Sequence, residues 1–241
     1  MKEKIAKREW EKHFGDQREF LDKYFATYYE PQNLIINTEN PSEDFIYMSL
    51  IVRYSYKYFS DIIPIAYVTA VLTNPEFRNK GYFRIAMQEV FDSIVKQDYI
   101  ISCLIPASEE LSQTYLRYGY ADCFIDNQNT DSHKSIIHEE KTINLYKELG
   151  YNLSLLIPNR NAMIRIMDVE KCLKLYAKHS PEVEKTYKII DSFIPTNYKT
   201  IEIKEGKAKA VESQDKAEEI TISELTKIVF EDSYMDLMFD Q

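Results

Sequence analysis

The chain has 241 residues, 44% of them hydrophobic and 13% aromatic, with a formal net charge of −9 at pH 7. That length and apolar content suit one large domain or two small ones around a real core, and exclude a disordered chain. The acidic balance argues against a nucleic-acid binder, which needs a basic surface for phosphates, and is compatible with a cationic small substrate.

The longest apolar runs, such as "IIPIAYV", are far too short to span a bilayer, so no membrane partner is expected. The start, "MKEKIAKREWEKHF", reads as an amphipathic helix charged throughout rather than as a signal peptide, and a cytoplasmic location follows as the expectation. Cys103, Cys123 and Cys172 are an odd set without metal-ligand spacing, which suits reduced thiols.

Gly15-Asp16 separates the first helix from a second. Asp16 and Glu19 stand at capping-box spacing, Phe20, Leu21, Tyr24, Phe25 and Tyr28 form the apolar face, and Pro31 ends it. Three strand-like runs follow, "NLIIN", "DFIYMSLIVRYSYKYF" and "IIPIAYVTAVLT", rich in β-branched and aromatic residues. Phe83, Met87, Val90, Phe91 and Ile94 then predict a helix over 80–96, and "YIISCLIP" a short buried strand. "SEELSQTYLRYGY" is a short helix with acidic residues at its start and Gly119 at its end. The order is that of a mixed α/β layer with one central β-α-β crossover.

Beyond "ADCFIDNQNTDSHKS" the composition turns polar and predicts a linker, with "KTINLYKELGY" a short helix inside it. A second unit is expected from residue 161. It holds the strand "MIRIM", a helix opened by Asp168, a hairpin turning at Glu205-Gly206, and a last helix with Thr221 and Glu224 at capping-box spacing. The expected organisation is therefore 1–125, a linker or reduced remnant at 126–160, and 161–241.

The chain holds only five glycines, and one of them, Gly81, follows Arg78-Asn79-Lys80 at the mouth of the predicted helix. A helix N-terminus presents unpaired backbone N–H groups and partial positive charge, so it accepts anions. Glycine lets the backbone turn tightly there, Arg78 can fork onto a phosphate oxygen and Lys80 adds a point charge. A pyrophosphate would use all of these; a solvated basic helix cap would use the same residues.

The strand, the turn with Arg-x-x-Gly and the long helix together resemble the acetyl-CoA motif of GNAT-family N-acetyltransferases. "FGDQREFLDKYF", "YVTAVLTNPEFRNKGYFRIAM" and "LIPASEELSQTYLRYGY" look like the N-terminal domain of a multidomain subgroup. That subgroup includes the enhanced-intracellular-survival aminoglycoside acetyltransferases. "AMIRIMDVEKCLKLYAKHSP", "DSFIPTN" and "ITISELTKIVF" resemble the sterol-carrier-protein-like domain that ends those proteins. The resemblance implies a GNAT fold, a mixed sheet flanked by helices, followed by a smaller α+β domain. Two departures stand out: Phe83 occupies the last position of the usual Arg-x-x-Gly-x-Gly/Ala motif, and only 126–160 fills the place of a middle domain.

The resemblance further implies an N-acetyltransferase that moves an acetyl group from acetyl-CoA to a primary amine of a small molecule or a lysine, without a metal. A non-catalytic acyl-CoA-binding or interaction protein on the same fold is the other reading. By resemblance, Val71, Leu72 and Thr73 hold the pantetheine arm. Arg78, Asn79, Lys80, Gly81, Tyr82, Phe83 and Arg84 cradle the pyrophosphate, and Ser108 and Glu109 line the cofactor. Tyr115, four residues before Gly119, falls where the family places its general acid, while Leu111, Tyr115 and Tyr118 also suit a core stripe. Tyr146 repeats that spacing before Gly150 without the flanking motifs. An amine with a pKa near 10.4 is neutral in only about one molecule in two thousand at pH 7, which costs roughly 4–5 kcal/mol. The subgroup meets this with its C-terminal carboxylate, which implies Gln241 as base, with Asp240 in competition. A homo-oligomer is left open.

Overall fold

The structure, a computed structural model, describes residues 1–38, 45–125, 133–151, 161–212 and 216–235. Helices α1 (Lys2–Phe14) and α2 (Arg18–Tyr28) come first, joined through Gly15 at φ 81°. The capping expected of Asp16 is not formed: α2 starts after Gln17 without a side-chain cap. Asp16 instead accepts from Trp10 Nε1 at 2.7 Å, because the buried indole needs a partner for its N–H.

The first sheet holds β1 (Leu34–Thr38), β2 (Phe45–Tyr58), β3 (Asp61–Thr73), β4 (Ile101–Leu104), β5 (Ala121–Asp122), β6 (Lys134–Ile137) and β7 (Met163–Ile166). Its spatial order is β1-β2-β3-β4-β7-β5, with β6 also on β2. Only β3 and β4 pair in parallel, and helix α3 (Tyr82–Lys96) supplies the crossover between them. Ile51, Ala66 and Val68 pack under α3 against Met87, Val90, Phe91 and Ile94. The alternate strand residues Tyr54, Ile65 and Tyr67 join Trp10, Leu21, Tyr24 and Phe25 of the first two helices. Period-two alternation thus covers both faces of one sheet.

Helix α4 (Glu109–Leu116) leads to β5, and α5 (Glu140–Glu148) follows β6. Helix α6 (Val169–His179) is capped by Asp168, which accepts from Lys171 N at 3.0 Å. A second sheet runs β10 (Lys207–Val211), β9 (Lys199–Lys204), β8 (Lys185–Ile190), β11 (Glu218–Thr221). The β9–β10 hairpin turns at Glu205 and Gly206, both left-handed. Helix α7 (Ile222–Phe230) carries the full capping box of Thr221 and Glu224.

Three strands escape the polar-linker and hairpin reading: β6 inside the expected linker, and β8 and β11, which pair in parallel. The strand expected to open the second unit also lies elsewhere. β7 sits in the first sheet, antiparallel to both β4 and β5, with all four residues buried. A four-residue run reveals that it is a strand, but its neighbours come from distant sequence.

β7 carries Arg165, which is fully buried with its partner Asp191 at 2.7 Å. The guanidinium also donates to the carbonyls of Tyr118 and Ile166, each at 2.7 Å. Asp191 accepts from Phe193 N at 3.0 Å, Ile194 N at 3.2 Å and Asn197 Nδ2 at 3.0 Å. Gly119 lies against this group with φ 84°, and a Cβ there would stand 2.5 Å from Ile222 Cγ2 and 3.1 Å from Arg165 Nε.

Gly119→Ala therefore meets a backbone penalty and a clash together, and is expected to lower unfolding free energy by about 2–4 kcal/mol. Arg165→Met strands a buried carboxylate and is expected to cost about 3–5 kcal/mol. Urea denaturation followed by circular dichroism measures both.

Candidate active site

The site begins with a defect in β3. Leu72 pairs with Met48 and Thr69 with Leu50, so Ala70 and Val71 together face Ser49 alone. This is a β-bulge, and Ala70 takes the left-handed conformation at φ 51°. Beyond it the side-chain alternation resets: Val71 packs toward the α3 side, while Ala70 and Leu72 face the α1–α2 side. β4 pairs with β3 only over Ile65–Tyr67, so the two strands part before the bulge. Backbone groups of β3 beyond Tyr67 therefore have no partner in β4.

At the end of β3, Asn74 caps the turn Pro75–Phe77 by accepting from Glu76 N at 3.2 Å. Arg78 folds back, its Nε 3.3 Å from the carbonyl of Thr73. Lys80 Nζ sits 5.1 Å from the centre of the Phe77 ring, a cation–π contact that holds the ammonium at the turn. Asn79 (φ 61°) and Gly81 (φ 83°) are both left-handed, a conformation from which anion-binding nests of N–H groups are built. Gly81 is the N-cap of α3 and supplies no side-chain acceptor; its carbonyl takes the N–H groups of Arg84 and Ile85, which leaves those of Tyr82 and Phe83 without a backbone partner among the described residues. A Cβ at Gly81 would meet nothing within 4 Å, so the space above the helix mouth is open. The backbone conformation, not crowding by the chain itself, asks for glycine here.

A cleft of about 530 Å³ joins these parts, lined by Val71, Leu72, Thr73, Phe77, Arg78, Asn79, Gly81, Tyr82, Phe83, Leu111 and Tyr115. Its lining holds an unmet polar group: Thr73 Oγ1 is buried and has no hydrogen-bond partner among the described residues. Tyr115, the one buried residue of α4, is 5% exposed and leans on Phe83 at 5.9 Å and Tyr120 at 5.7 Å between ring centres. Burial pushes its phenol well above the ordinary tyrosine range. Tyr120 is tied to Ser102 Oγ at 2.9 Å, whereas the Tyr115 hydroxyl makes no hydrogen bond among the described residues.

Nine of the sequence-expected positions line this cleft: Val71, Leu72, Thr73, Arg78, Asn79, Gly81, Tyr82, Phe83 and Tyr115. Lys80 is turned onto Phe77, and Arg84 lies 5.6 Å over the Phe193 ring. Ser108 caps α4 by accepting from Leu111 N at 3.3 Å, and Glu109 accepts from Gln113 at 3.0 Å; neither lines the cleft. Tyr146 is buried against His138 and Tyr151, away from it. Phe77 and Leu111 line the cleft without having been expected. Phe77, an aromatic residue in a turn beside two cations, was the available signal. Phe83, the departure from the glycine-rich pattern, is wedged between Tyr115 and Tyr118.

Gln241 and Asp240 lie outside the described residues. The segment before them is bound: Ser233 bridges Phe124, Tyr234 bridges Ser135, and Met235 is fully buried. Both bridges are parallel, so the segment runs in the direction of β3.

A family model for the GNAT acetyltransferase domain matches residues 2–123. No curated protein matches the chain. Among solved structures, a conserved protein of unknown function from Enterococcus faecalis V583, described as a probable N-acyltransferase, superposes with TM-score 0.69 at 16% identity, covering 93% of this chain and 86% of that one. A GCN5-related N-acetyltransferase from Anabaena variabilis ATCC 29413 gives 0.64 at 15% identity, with 92% and 86% covered. Eis1 from Mycobacterium abscessus gives 0.61 at 10% identity, with 87% and 82% covered. At these identities the likeness is one of fold.

Thr73→Val removes a buried hydroxyl that has no partner among the described residues, and is expected to raise unfolding free energy by about 1 kcal/mol. Gly81→Ala meets only the left-handed penalty, about 1–2 kcal/mol, and so costs less than the same change at Gly119. Urea midpoints at unchanged slope would check both.

Proposed function

Because the chain belongs to the GNAT acetyltransferase family, we propose that it transfers an acetyl group from acetyl-CoA to a primary amine of a small molecule, aminoglycoside-like or other, or of a lysine. The observation that carries this reading is the convergence of three features on one cleft. These are the parted end of β3, a helix mouth with open space above Gly81, and a buried tyrosine without a hydrogen-bond partner. The Thr73 hydroxyl, unmatched among the described residues, and the amides of Tyr82 and Phe83 at the helix mouth fit a ligand with a polar arm and an anionic end.

In this reading the main chain of Val71–Thr73 binds the pantetheine arm. The amides from Asn79 to Phe83 take the pyrophosphate, with Arg78 and Lys80 adding charge. Acetyl-CoA supplies the activated thioester and a thiolate leaving group. Tyr115 keeps its proton at neutral pH and holds it for that sulfur. Its buried setting preserves the protonated form far into alkali. We read the second sheet with α6 and α7 as the sterol-carrier-protein-like unit implied by the sequence, and 126–160 as the counterpart of a middle domain. Both act as scaffold.

Tyr115→Phe is expected to lower kcat by about 10²–10³-fold, with acetyl-CoA affinity held within threefold. Free-thiol release and calorimetry measure the two quantities; full turnover in the variant would remove the assigned acid. The acid must be protonated to act and its pKa is raised, so kcat should show no alkaline fall from this group up to pH 10. Acetyl-CoA binding without thiol release across kanamycin, spermidine and lysine peptides would leave a binding protein instead.

A further inference from the structure

A second cavity lies at the other end of the sheet. β1 leaves β2 at Leu50 and β6 joins it at Ser55, so the edge of β2 between them is not covered by a strand. The end of α2, the turn after it, the end of α3 and the start of α5 close around this gap. They enclose about 320 Å³, with Asn33, Arg53, Tyr99 and Lys141 among the lining residues. Pro64 of β3 forms part of the wall. It precedes Val71 by seven residues, about 20 Å along a strand, so this space is separate from the cleft.

Three polar side chains here make no hydrogen bond from the named atoms among the described residues. Asn33 is 4% exposed, and its Oδ1 is buried without a hydrogen bond among the described residues. Tyr99 is 7% exposed, and its hydroxyl makes no hydrogen bond among the described residues. Arg53 has no ion pair, hydrogen bond or ring contact among the described residues, in a chain with a net charge of −9. Buried polar groups are matched almost everywhere in folded proteins, so the unmet Asn33 Oδ1 in the wall, with the exposed guanidinium of Arg53 beside it, describes a binding site. Lys141 adds a second cation, its Nζ 3.8 Å from Glu139 Oε2 and 5.2 Å from the Tyr28 ring centre. Glu30 supplies an exposed carboxylate at the rim, where Oε2 accepts from Gln32 Nε2.

We propose that this cavity binds a small carboxylate that also bears N–H donors, an α-amino acid being the matching class. The carboxylate lies on Arg53 and Lys141. The N–H groups donate to Asn33 Oδ1 and Glu30 Oε1, and the aromatic walls accept an apolar side chain. The volume equals that of roughly ten waters, enough for one amino acid. Neither a plain anion nor a plain amine satisfies both halves of this lining.

The test is calorimetry on the full chain with L-phenylalanine, 3-phenylpropionate, 2-phenylethylamine and inorganic phosphate, on wild type, Arg53→Met and Lys141→Ala. L-Phenylalanine should bind, and the two half-molecules should each bind at least tenfold more weakly. Arg53→Met should weaken L-phenylalanine at least tenfold while acetyl-CoA affinity and circular dichroism stay unchanged. Lys141→Ala should weaken it severalfold. Tyr115→Phe should leave it unchanged, which separates this site from an amine acceptor site in the cleft. No heat with L-phenylalanine, equal binding of 3-phenylpropionate, tighter binding of phosphate, or indifference to Arg53→Met would each overturn the proposal.

Discussion

The buried pair of Arg165 and Asp191 holds the site in place. Two fully buried charges at 2.7 Å are tolerable only when their remaining hydrogen-bonding capacity is met. Arg165 meets its own with the carbonyls of Tyr118 and Ile166, and Asp191 with the amides of Phe193 and Ile194. Each bond fixes a different segment. The Tyr118 carbonyl sets the end of the turn that carries Tyr115. The Asp191 carboxylate sets the loop that carries Phe193, whose ring stacks on Tyr118 at 4.7 Å and meets Phe91 of α3 edge-on at 5.9 Å. One charge pair therefore sets the spacing between the two helices that flank the cleft.

A second constraint is the backbone of β3. A regular strand paired to β4 along its length would have no free carbonyl or amide to offer. Early separation from β4 and the bulge at Ala70 leave those groups unpaired, and the left-handed φ of 51° at an alanine is the local cost. The turn after the strand repeats the device at Asn79 and Gly81. In the proposed reading, binding capacity here comes mostly from main chain that secondary structure has declined to use. Side chains add charge from held positions: Arg78 donates to the Thr73 carbonyl, and Lys80 rests on Phe77.

The C-terminal half of the chain is integral to this arrangement. β7 lies between β4 and β5, and Thr226 of α7 accepts from Ile166 N at 3.3 Å. The segment at Ser233 and Tyr234 bridges the chain beside β5 to β6, and Tyr56 meets Ser233 at 2.6 Å. Removing that half would strip one sheet of a central strand and the site of its charge pair.

Local patterns made much of this legible. Helical spacing marked α3 from Phe83 to Ile94, β-branched runs marked β2 and β3, and Thr221 with Glu224 marked the start of α7. The Arg-x-x-Gly turn and Tyr115 pointed to one end of that layer, because a motif is a contiguous stretch whose chemistry travels with it. The place of β7, the role of Arg165 and the cavity around Arg53 were not legible. A four-residue strand looks the same in either sheet, and a buried arginine looks the same as a solvated one. What the sequence by itself determined was the type of each long element and the chemistry of each short motif, since both rest on near neighbours in the chain. Only the tertiary structure decided which strands lie side by side and which charges are buried together, because those pairings join residues far apart in sequence and depend on how all the elements pack at once.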